Sequence, residues 1–494
     1  MRTLTTVNSE PGIKPLQLIL IVAILQLIIA FFTDPMIFSF DESMWQYIGR
    51  NWFRNGLVPY AGGVDNKSPL IFFIFGVSDR LFGVNYWFPR LFGIIVQSAG
   101  IYYLYKIAEK TINARAAIFA ISFYGLSLLW RSTGGKYVSY TETYAITSII
   151  IAVYFCIVCR KSRQAFIGGL FAGLGFGFRF SAAFGILPIL IFAFKRDRKS
   201  ALLFFLGTMA SIGSLVLLGE LAGIKINEFL FYGLTDNFGA GSPTAHPISW
   251  EAQQFANGFF YSELILFYPA VCFYFILNRK FDFLKAWLVC EFVGIMIVGI
   301  YDRVHFKDLL PAMSLMSAFV ISNLMENYRA SVKQILIGIW IVFFPKTFEP
   351  LFAVKKLFIS KARQSAQNRN NPQSEEEEKR KTMGLWIRSN TLSSEKVFVA
   401  GYGAQIQAYS ERQSPTIYFN ATQTLTAKKR LFVDLSSDKP AMMVIPISEM
   451  YINAMDTDIQ VFVHDLLARN YSLDTSIYDY NIFRYKRNSI LKNP

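Results

Sequence analysis

Apolar runs of helix-spanning length recur along most of this chain, and they constrain its fold more than any other feature. About twenty apolar residues cross the hydrocarbon core of a bilayer as a helix. The first run, 16–32, follows Lys14 and lacks a small-residue cleavage site, which predicts a retained helix. Further candidate spans lie at 89–106, 115–130, 141–159, 165–178, 180–194, 201–222, 262–278, 284–300, 308–326 and 334–353. With 53% hydrophobic residues, the chain is predicted to be a polytopic α-helical membrane protein with about eleven transmembrane helices.

Basic residues fall in every second connection between these spans, which predicts the topology. They are Arg2 and Lys14; Lys106, Lys110 and Arg115; Arg160, Lys161 and Arg163; Lys195, Arg196, Arg198 and Lys199; Arg279, Lys280 and Lys285; and Arg329 and Lys333. Because such residues concentrate in cytoplasmic loops, we expect a multi-pass protein of the inner (plasma) membrane, with a cytoplasmic N-terminus and an extracytoplasmic C-terminal region. The net charge of +15 follows from this topology, and no nucleic-acid partner is expected.

The C-terminal region has a different character. Segment 354–394 is polar and highly charged, which predicts a linker or a solvated helix. From 395 to 494 strand and helix patterns alternate, with strands predicted at 397–400, 416–419, 442–445 and within 472–485. We therefore predict a transmembrane domain at 1–353, a polar linker at 354–394 and a small α/β extracytoplasmic domain at 395–494.

The first outer loop contains an acidic pair, Asp41 and Glu42, directly after the first span. A carboxylate near a bilayer costs free energy unless it is hydrated, paired or used chemically. The alternative is that both acids stabilise the start of the next helix, because acids suit a first turn. That helix, 41–54, is amphipathic, and its aromatic residues predict that it lies on the membrane surface.

The loop residues, in this order, resemble the first loop of the polyprenyl-phosphate-dependent glycosyltransferases of the GT-C fold. They are Phe40-Asp41-Glu42, Tyr47-Ile48, Asn51-Trp52, Gly56, Pro59-Tyr60, Asp65-Asn66-Lys67-Ser68-Pro69-Leu70 and Pro89-Arg90-Leu91. Later matches are Glu142, 173–179, Pro188, Arg303-Val304-His305-Phe306, Leu309-Leu310-Pro311, Trp386-Ile387, 397–402 and 409–412. Within that fold the resemblance is to glycosyltransferase family 39, with its bacterial protein mannosyltransferase-like and aminoarabinose-transferase-like enzymes of the cell envelope.

The resemblance implies a hexosyl- or pentosyltransferase that moves a sugar from a polyprenyl phosphate to an extracytoplasmic hydroxyl. Such transfer needs a base for the acceptor proton and cations for the departing phosphate. Asp41 is implied as the base, with inversion, and Glu42 either orients the acceptor or starts the helix. The implied substrate-binding residues are Lys67, Arg90, Glu142, Arg179, Arg303 and His305. For the cationic ones, contact with lipid headgroups is the alternative.

The expected partners are membrane lipids, the lipid-linked sugar donor and an acceptor glycan, lipid or protein. We expect no cofactor beyond the donor and no metal ligands, so the reaction would be metal-independent or weakly metal-dependent. A metal site at His246 is imaginable from Asp236 and Glu251 nearby, but a lone histidine in a Gly/Pro loop is not favoured as a ligand. The rival functions are a non-catalytic flippase or transporter, or an assembly subunit, for lipid-linked glycans.

Overall fold

The structure is a computed structural model, and it describes residues 14–32, 39–159, 161–233, 235–236, 248–299, 301–328, 331–343, 345–346, 372–401, 403–419, 425–447 and 457–486. The N-terminal two-thirds is helical. Its helices are α1 (Pro15–Phe32), α2 (Phe40–Asn55), α3 (Pro69–Phe82), α4 (Trp87–Thr111), α5 (Ala114–Ser127), α6 (Thr141–Val153), α7 (Ser162–Phe178), α8 (Ala183–Arg196), α9 (Arg198–Leu221), α10 (Ile226–Gly233), α11 (Ile248–Phe259), α12 (Tyr268–Leu277), α13 (Phe283–Val298), α14 (Leu310–Tyr328) and α15 (Val332–Phe343).

Each predicted span coincides with a helix, although the last, 334–353, is described only in part. Within the described residues, five helical stretches are long and apolar enough to cross a membrane: Pro15–Phe32, Trp87–Thr111, Thr141–Val158, Arg198–Leu221 and Arg303–Glu326. Thr141–Val158 consists of α6 and a π-helical turn at Tyr154–Val158. The membrane class is therefore confirmed, whereas the number of spans stays a prediction.

The described chain packs into two compact units that alternate along the sequence. The first takes its residues from 1–34, 90–215 and 247–361, and the second from 35–89, 216–246 and 362–494. The division at 353 and 394 expected from composition stays a prediction, and residues 354–371 lie outside the described residues.

In the first unit, helices approach closely at glycines. A Cβ at Gly169 of α7 would lie 2.1 Å from the main-chain oxygen of Phe204, and one at Gly207 of α9 would lie 2.2 Å from that of Phe166. Small residues at such crossings let the backbones of membrane helices touch, which supplies dispersion contacts where lipid removes the hydrophobic driving force. These glycines therefore fix the α7–α9 pair.

In the second unit, α2 packs on α3 around a buried carboxylate. Asp79, fully buried, accepts hydrogen bonds from Arg50 Nη2 at 2.6 Å and Arg54 Nε at 2.5 Å. Arg50 also donates to the main-chain oxygen of Ala408 at 3.0 Å. The network ties α2 to α3 and to the C-terminal part of the chain.

Among its described residues, that C-terminal part contains a four-stranded sheet and four helices. They are α16 (Pro372–Asn390), α17 (Ala404–Ser410), α18 (Leu425–Ser437) and α19 (Thr457–Asn470), with strands β1 (Val397–Val399), β2 (Met442–Pro446), β3 (Tyr471–Ile477) and β4 (Tyr480–Tyr485). The strand order is β1-β2-β4-β3, with β1 parallel to β2 and the other pairs antiparallel. Part of the predicted linker is helix α16, whose Met383 and Ile387 are buried against β1 and β2. The rest of α16 is polar, which is why its sequence reads as a solvated segment.

One local prediction is wrong, because segment 416–419 is not a strand of the sheet and its ladder contact is a single bridge from Tyr418 to Val64. Of the aromatic residues of α2, Trp45 and Tyr47 are buried within the protein, whereas Trp52 and Phe53 are half-buried. The position of α2 on the membrane surface stays a prediction. The Tyr47 hydroxyl accepts from the Ser414 amide at 2.7 Å. Amphipathicity alone does not distinguish a membrane surface from a protein surface.

Candidate active site

The two acids at the start of α2 have different surroundings. Ser39 and Glu42 form a capping box: the Ser39 amide donates to Glu42 Oε2 at 2.9 Å, and the Glu42 amide donates to Ser39 Oγ at 3.2 Å. Glu42 is fully buried, whereas Asp41 is half-buried. Glu42 thus has the helix-start role that the sequence left open, and the catalytic roles of both acids stay predictions.

Lys67 lies in a loop that is held by buried polar groups. The Tyr60 hydroxyl donates to the main-chain oxygen of Lys67 at 2.8 Å. Asp65 accepts from the Trp45 indole and from the Asn66 amide, both at 2.7 Å. The loop is thereby fixed to α2, since Trp45 belongs to that helix.

The charge of Lys67 has no carboxylate partner among the described residues. Its Nζ donates to the neutral Asn66 Oδ1 at 2.9 Å. Tyr60, which holds the Lys67 backbone, has left-handed backbone geometry with φ 72°. Burial, with the nearby Asp65 charge, holds the pKa of Tyr60 well above its usual range, so its hydroxyl remains a donor at physiological pH. Lys67 therefore presents an uncompensated cation on a fixed loop.

Arg90 is fully buried in the first unit, near the start of α4. Its Nη1 donates to the main-chain oxygen of Ala30, in the last turn of α1, at 2.9 Å. A cation at a helix C-terminus is favoured by the unpaired carbonyls there. Arg90 has this structural role, and its binding of a donor phosphate stays a prediction.

Three predicted residues of the first unit meet in one ionic cluster. Arg179 follows α7, Glu142 lies in the first turn of α6, and His305 lies in the short 3₁₀ helix Arg303–Leu309 before α14. Arg179 Nη1 lies 2.7 Å from Asp308 Oδ2 and 3.7 Å from Glu142 Oε1. Arg179 Nη2 lies 2.7 Å from His305 Nδ1. The side chains are at most 13% exposed, so the charges interact in a poorly solvated setting.

His305 lies between a carboxylate and a guanidinium group. Its Nδ1 is 3.0 Å from Glu142 Oε1 as well as 2.7 Å from Arg179 Nη2. A ring nitrogen either donates or accepts, so it can form only one of these hydrogen bonds at a time. Whichever bond forms, the other short contact is not a hydrogen bond.

Two further residues complete the cluster. Asp308 completes the pairing of Arg179, and Lys307 donates from Nζ to Thr143 Oγ1 at 2.8 Å while almost fully buried. With Glu142, these side chains contribute two cations and two acids besides His305, and the buried Glu291 of α13 lies within electrostatic range of Arg179 and Asp308. Ionised groups that leave water need such partners of opposite charge.

Arg303 begins the same 3₁₀ helix but does not take part in the ionic cluster. It is exposed and has no hydrogen bond or ion pair with any residue that the structure describes. Phe306 of the same 3₁₀ helix is buried against Gly258, Phe255 and Phe259. Arg303 is thus a second uncompensated cation.

The described residues contain no group of three or more His, Cys, Asp or Glu side chains arranged to hold a metal ion. His246 lies outside the described residues.

Comparison with known proteins identifies the fold. Residues 66–219 match the family described as dolichyl-phosphate-mannose-protein mannosyltransferase, a stretch that includes Lys67, Arg90, Glu142 and Arg179. The chain is similar to the crystal structure of ArnT from Cupriavidus metallidurans bound to undecaprenyl phosphate, with TM-score 0.58 and 13% identity over 95% of this chain and 97% of that one. It is also similar to AglB, the oligosaccharyltransferase of Archaeoglobus fulgidus, in complex with an inhibitory peptide and a dolichol-phosphate, with TM-score 0.52 and 10% identity over 97% and 75% of the two chains. No curated protein sequence matches the chain significantly.

These matches define the class. The chain has the GT-C fold, which confirms the resemblance found in the sequence at the level of the fold. The matches extend over nearly the whole length of the chain, and the C-terminal domain as such stays a prediction.

Proposed function

We propose that this protein is an integral-membrane glycosyltransferase that moves a sugar from a polyprenyl-phosphate donor to an acceptor hydroxyl. The single observation that carries the proposal is a fold shared over 95% of the chain with a protein bound to undecaprenyl phosphate. A second protein of this fold is bound to a dolichol-phosphate, so lipid phosphates recur as ligands in it. The proposed sugar is a hexose or a pentose.

The charges around the cations support different roles for them. Arg179 already faces the carboxylates of Asp308 and Glu142, so its charge is compensated before a substrate arrives. Lys67 and Arg303 have no such acid among the described residues. We therefore propose Lys67 in the second unit and Arg303 in the first unit as separate candidates for phosphate binding, and a positioning role for the cluster of Arg179. Stabilising a departing phosphate needs cations aimed at the charge that develops in the transition state.

Asp41 is proposed as the general base. A carboxylate that takes the acceptor proton, opposite the departing phosphate, gives a single displacement with inversion and needs no covalent intermediate. Glu42 would serve by fixing the start of α2, on which Asp41 lies, through its capping box with Ser39.

The proposed setting follows the charge pattern of the sequence. We place the protein in the inner (plasma) membrane, with the loop of Asp41 and Lys67 on the extracytoplasmic side and the C-terminal domain on that side too. The acceptor would be a hydroxyl of a glycan, a lipid or a protein. No step of this mechanism requires a metal ion.

A transfer assay with purified protein and radiolabelled polyprenyl-phosphate sugars tests the proposal. Asp41→Asn should lower the rate by about 10²- to 10⁴-fold, the usual contribution of a general base. Asp458→Asn removes another first-turn acid, from α19, and serves as the matched control that should keep the parent rate. If Asp41→Asn is as active as the parent, the mechanism is wrong. If the parent moves donor lipid across a vesicle membrane without transferring sugar, the protein is instead a flippase.

A further inference from the structure

The loop that bears Lys67 is held by the C-terminal part of the chain as well as by α2. The Val64 amide donates to the main-chain oxygen of Ile417 at 2.8 Å, and Val64 forms a parallel bridge with Tyr418. Val64 and Tyr418 are both buried. Residues 414–419, which we call the strap, therefore form one edge of this loop, although they lie far along the chain.

The strap is itself fixed to two other segments of the second unit. At its start, the Ser414 amide donates to the Tyr47 hydroxyl of α2 at 2.7 Å. At its end, the Phe419 ring packs edge-on against the Tyr47 ring, with centroids 4.9 Å apart. Between these contacts, the Tyr418 hydroxyl donates to Asp236 Oδ2 at 2.8 Å. The strap thus joins α2, the loop of Lys67 and the segment that bears Asp236.

Three tyrosine rings connect the strap to the backbone of Lys67. Tyr418 packs edge-on against Tyr232, with ring centroids 6.1 Å apart, and Tyr232 stacks on Tyr60 at the same distance. Both arrangements are ones that aromatic pairs prefer. The Tyr60 hydroxyl then donates to the main-chain oxygen of Lys67 at 2.8 Å. A displacement of Tyr418 therefore reaches Lys67 through two ring contacts and one hydrogen bond.

The loop needs such support from outside. Tyr60 has left-handed backbone geometry with φ 72°, which is unfavourable for a bulky side chain and persists only where the surroundings hold it. Loss of the Ile417 oxygen would leave the buried N–H of Val64 without its acceptor, and such a group is costly. The position of the loop therefore depends on the strap.

We propose that Tyr418 is a positioning residue for Lys67, and that the C-terminal part of the chain acts on donor binding through the strap. The Tyr418 hydroxyl fixes the strap to Asp236, and the strap fixes the loop that carries the cation. The attraction between a cation and a phosphate falls as the charges separate, so a displaced loop binds the donor less tightly. The inference rests on the proposed function, in which Lys67 is a candidate for phosphate binding.

The test uses substitutions that remove or keep single hydrogen bonds. Tyr418→Phe keeps the ring against Tyr232 but loses the bond to Asp236. Asp236→Ala loses the same bond from the other side, whereas Asp236→Asn keeps an oxygen that accepts it. Tyr471→Phe is the matched control, because Tyr471 is as buried as Tyr418 and its hydroxyl donates to the Pro440 oxygen at 2.9 Å, within the core between the sheet and α19.

Amide hydrogen exchange, measured by mass spectrometry on peptides that cover 57–68, reports the loop directly. We expect Tyr418→Phe and Asp236→Ala to speed exchange of the loop amides by roughly 2- to 10-fold, as for one lost hydrogen bond. The KM for the donor should rise by a similar factor of roughly 2 to 10. The kcat should change less than the KM. Asp236→Asn and Tyr471→Phe should match the parent in the exchange of the loop and in the KM.

Two results would overturn the positioning role while leaving the transferase function intact. If the loop amides of Tyr418→Phe exchange at the rate of the parent, the strap does not hold the loop. If their exchange is faster but the donor KM is unchanged, or rises equally in Tyr471→Phe, the strap holds the loop without acting on donor binding.

A binding measurement separates the positioning role from the proposed function. If the parent transfers no sugar at all, the function fails, and thermal unfolding with sugar-free undecaprenyl phosphate replaces the donor KM. The positioning role requires that this lipid raise the Tm of the parent and of Tyr471→Phe, and that the rise be smaller in Tyr418→Phe. Equal rises in the three proteins, or no rise in the parent, would contradict it.

Discussion

The guanidinium of Arg179 lies 2.7 Å from the carboxylate of Asp308, and the pair joins the turn between α7 and α8 to the turn before α14. Both side chains are at most 10% exposed. A buried pair gains little over apolar packing, but breaking it leaves one charge unsolvated. The ion pair of Arg179 and Asp308 therefore holds these two turns together, whatever substrate the site takes.

Removal of one partner of this ion pair should lower the stability of the protein. We expect Asp308→Asn to lower the free energy of unfolding by about 3–5 kcal/mol, and the double variant with Arg179→Gln to lose less than the sum of the single losses. Thermal unfolding in detergent gives these values. Asp465→Asn, which breaks the exposed pair with Arg469, should have no measurable effect. Additive losses in the double variant would mean that the two residues do not interact.

The hydroxyl of Tyr60 should matter for activity as well as for stability. Tyr60→Phe keeps the ring between Phe72 and Tyr232 but removes the bond to the main-chain oxygen of Lys67. We expect a higher KM for the donor, because Lys67 is proposed to bind its phosphate. Tyr471→Phe, which loses a similar bond to the Pro440 oxygen at 2.9 Å, is the matched control.

Both tyrosine variants should lose about 1 kcal/mol of stability. Only Tyr60→Phe should change the donor KM in steady-state kinetics. If the donor KM rises in both variants, or in neither, the Tyr60 hydroxyl does not support the binding of the donor by Lys67.

Glycines of α9 provide a test of the α7–α9 crossing. Gly207→Ala places a methyl group 2.2 Å from the Phe166 oxygen and 3.1 Å from the Cα of Gly169, so the helices must separate. We expect a loss of about 1–3 kcal/mol, as for other overpacked cores. Gly213→Ala, in the same helix, meets nothing within 4 Å and should be neutral or slightly stabilising. Thermal unfolding of the two variants measures this difference in stability. Equal stability of the two would contradict the close crossing.

The topology can be checked with reporter fusions. Charge alternation predicts that a fusion after Arg198 reports the cytoplasm and one after Lys396 reports the opposite side. Alkaline phosphatase and a fluorescent protein, each fused at both positions, give complementary signals. The same side for both fusions would overturn the assignment of the outer loops.

Much of this fold could be predicted because long apolar runs have few structural solutions. The ionic cluster could be predicted only in part. His305 came from the resemblance, whereas Asp308 was missed, although residues three apart eclipse each other in a 3₁₀ helix and so face the same way. The burial of Trp45 and the single bridge of Tyr418 to Val64 depend on contacts between distant segments, which no local pattern records.

The two acids at the start of α2 can be separated by isosteric substitutions. Because glutamine at this position can still accept from the Ser39 amide, Glu42→Gln should keep the capping box and most of the transfer activity. Glu42→Ala should lose about 1 kcal/mol of stability with the cap, whereas Asp41→Asn should lose activity and not stability. Transfer rates and unfolding curves for the three variants distinguish a base from a cap. A folded but inactive Glu42→Gln protein would mean that the Glu42 charge, rather than its hydrogen bond to Ser39, is what the reaction needs.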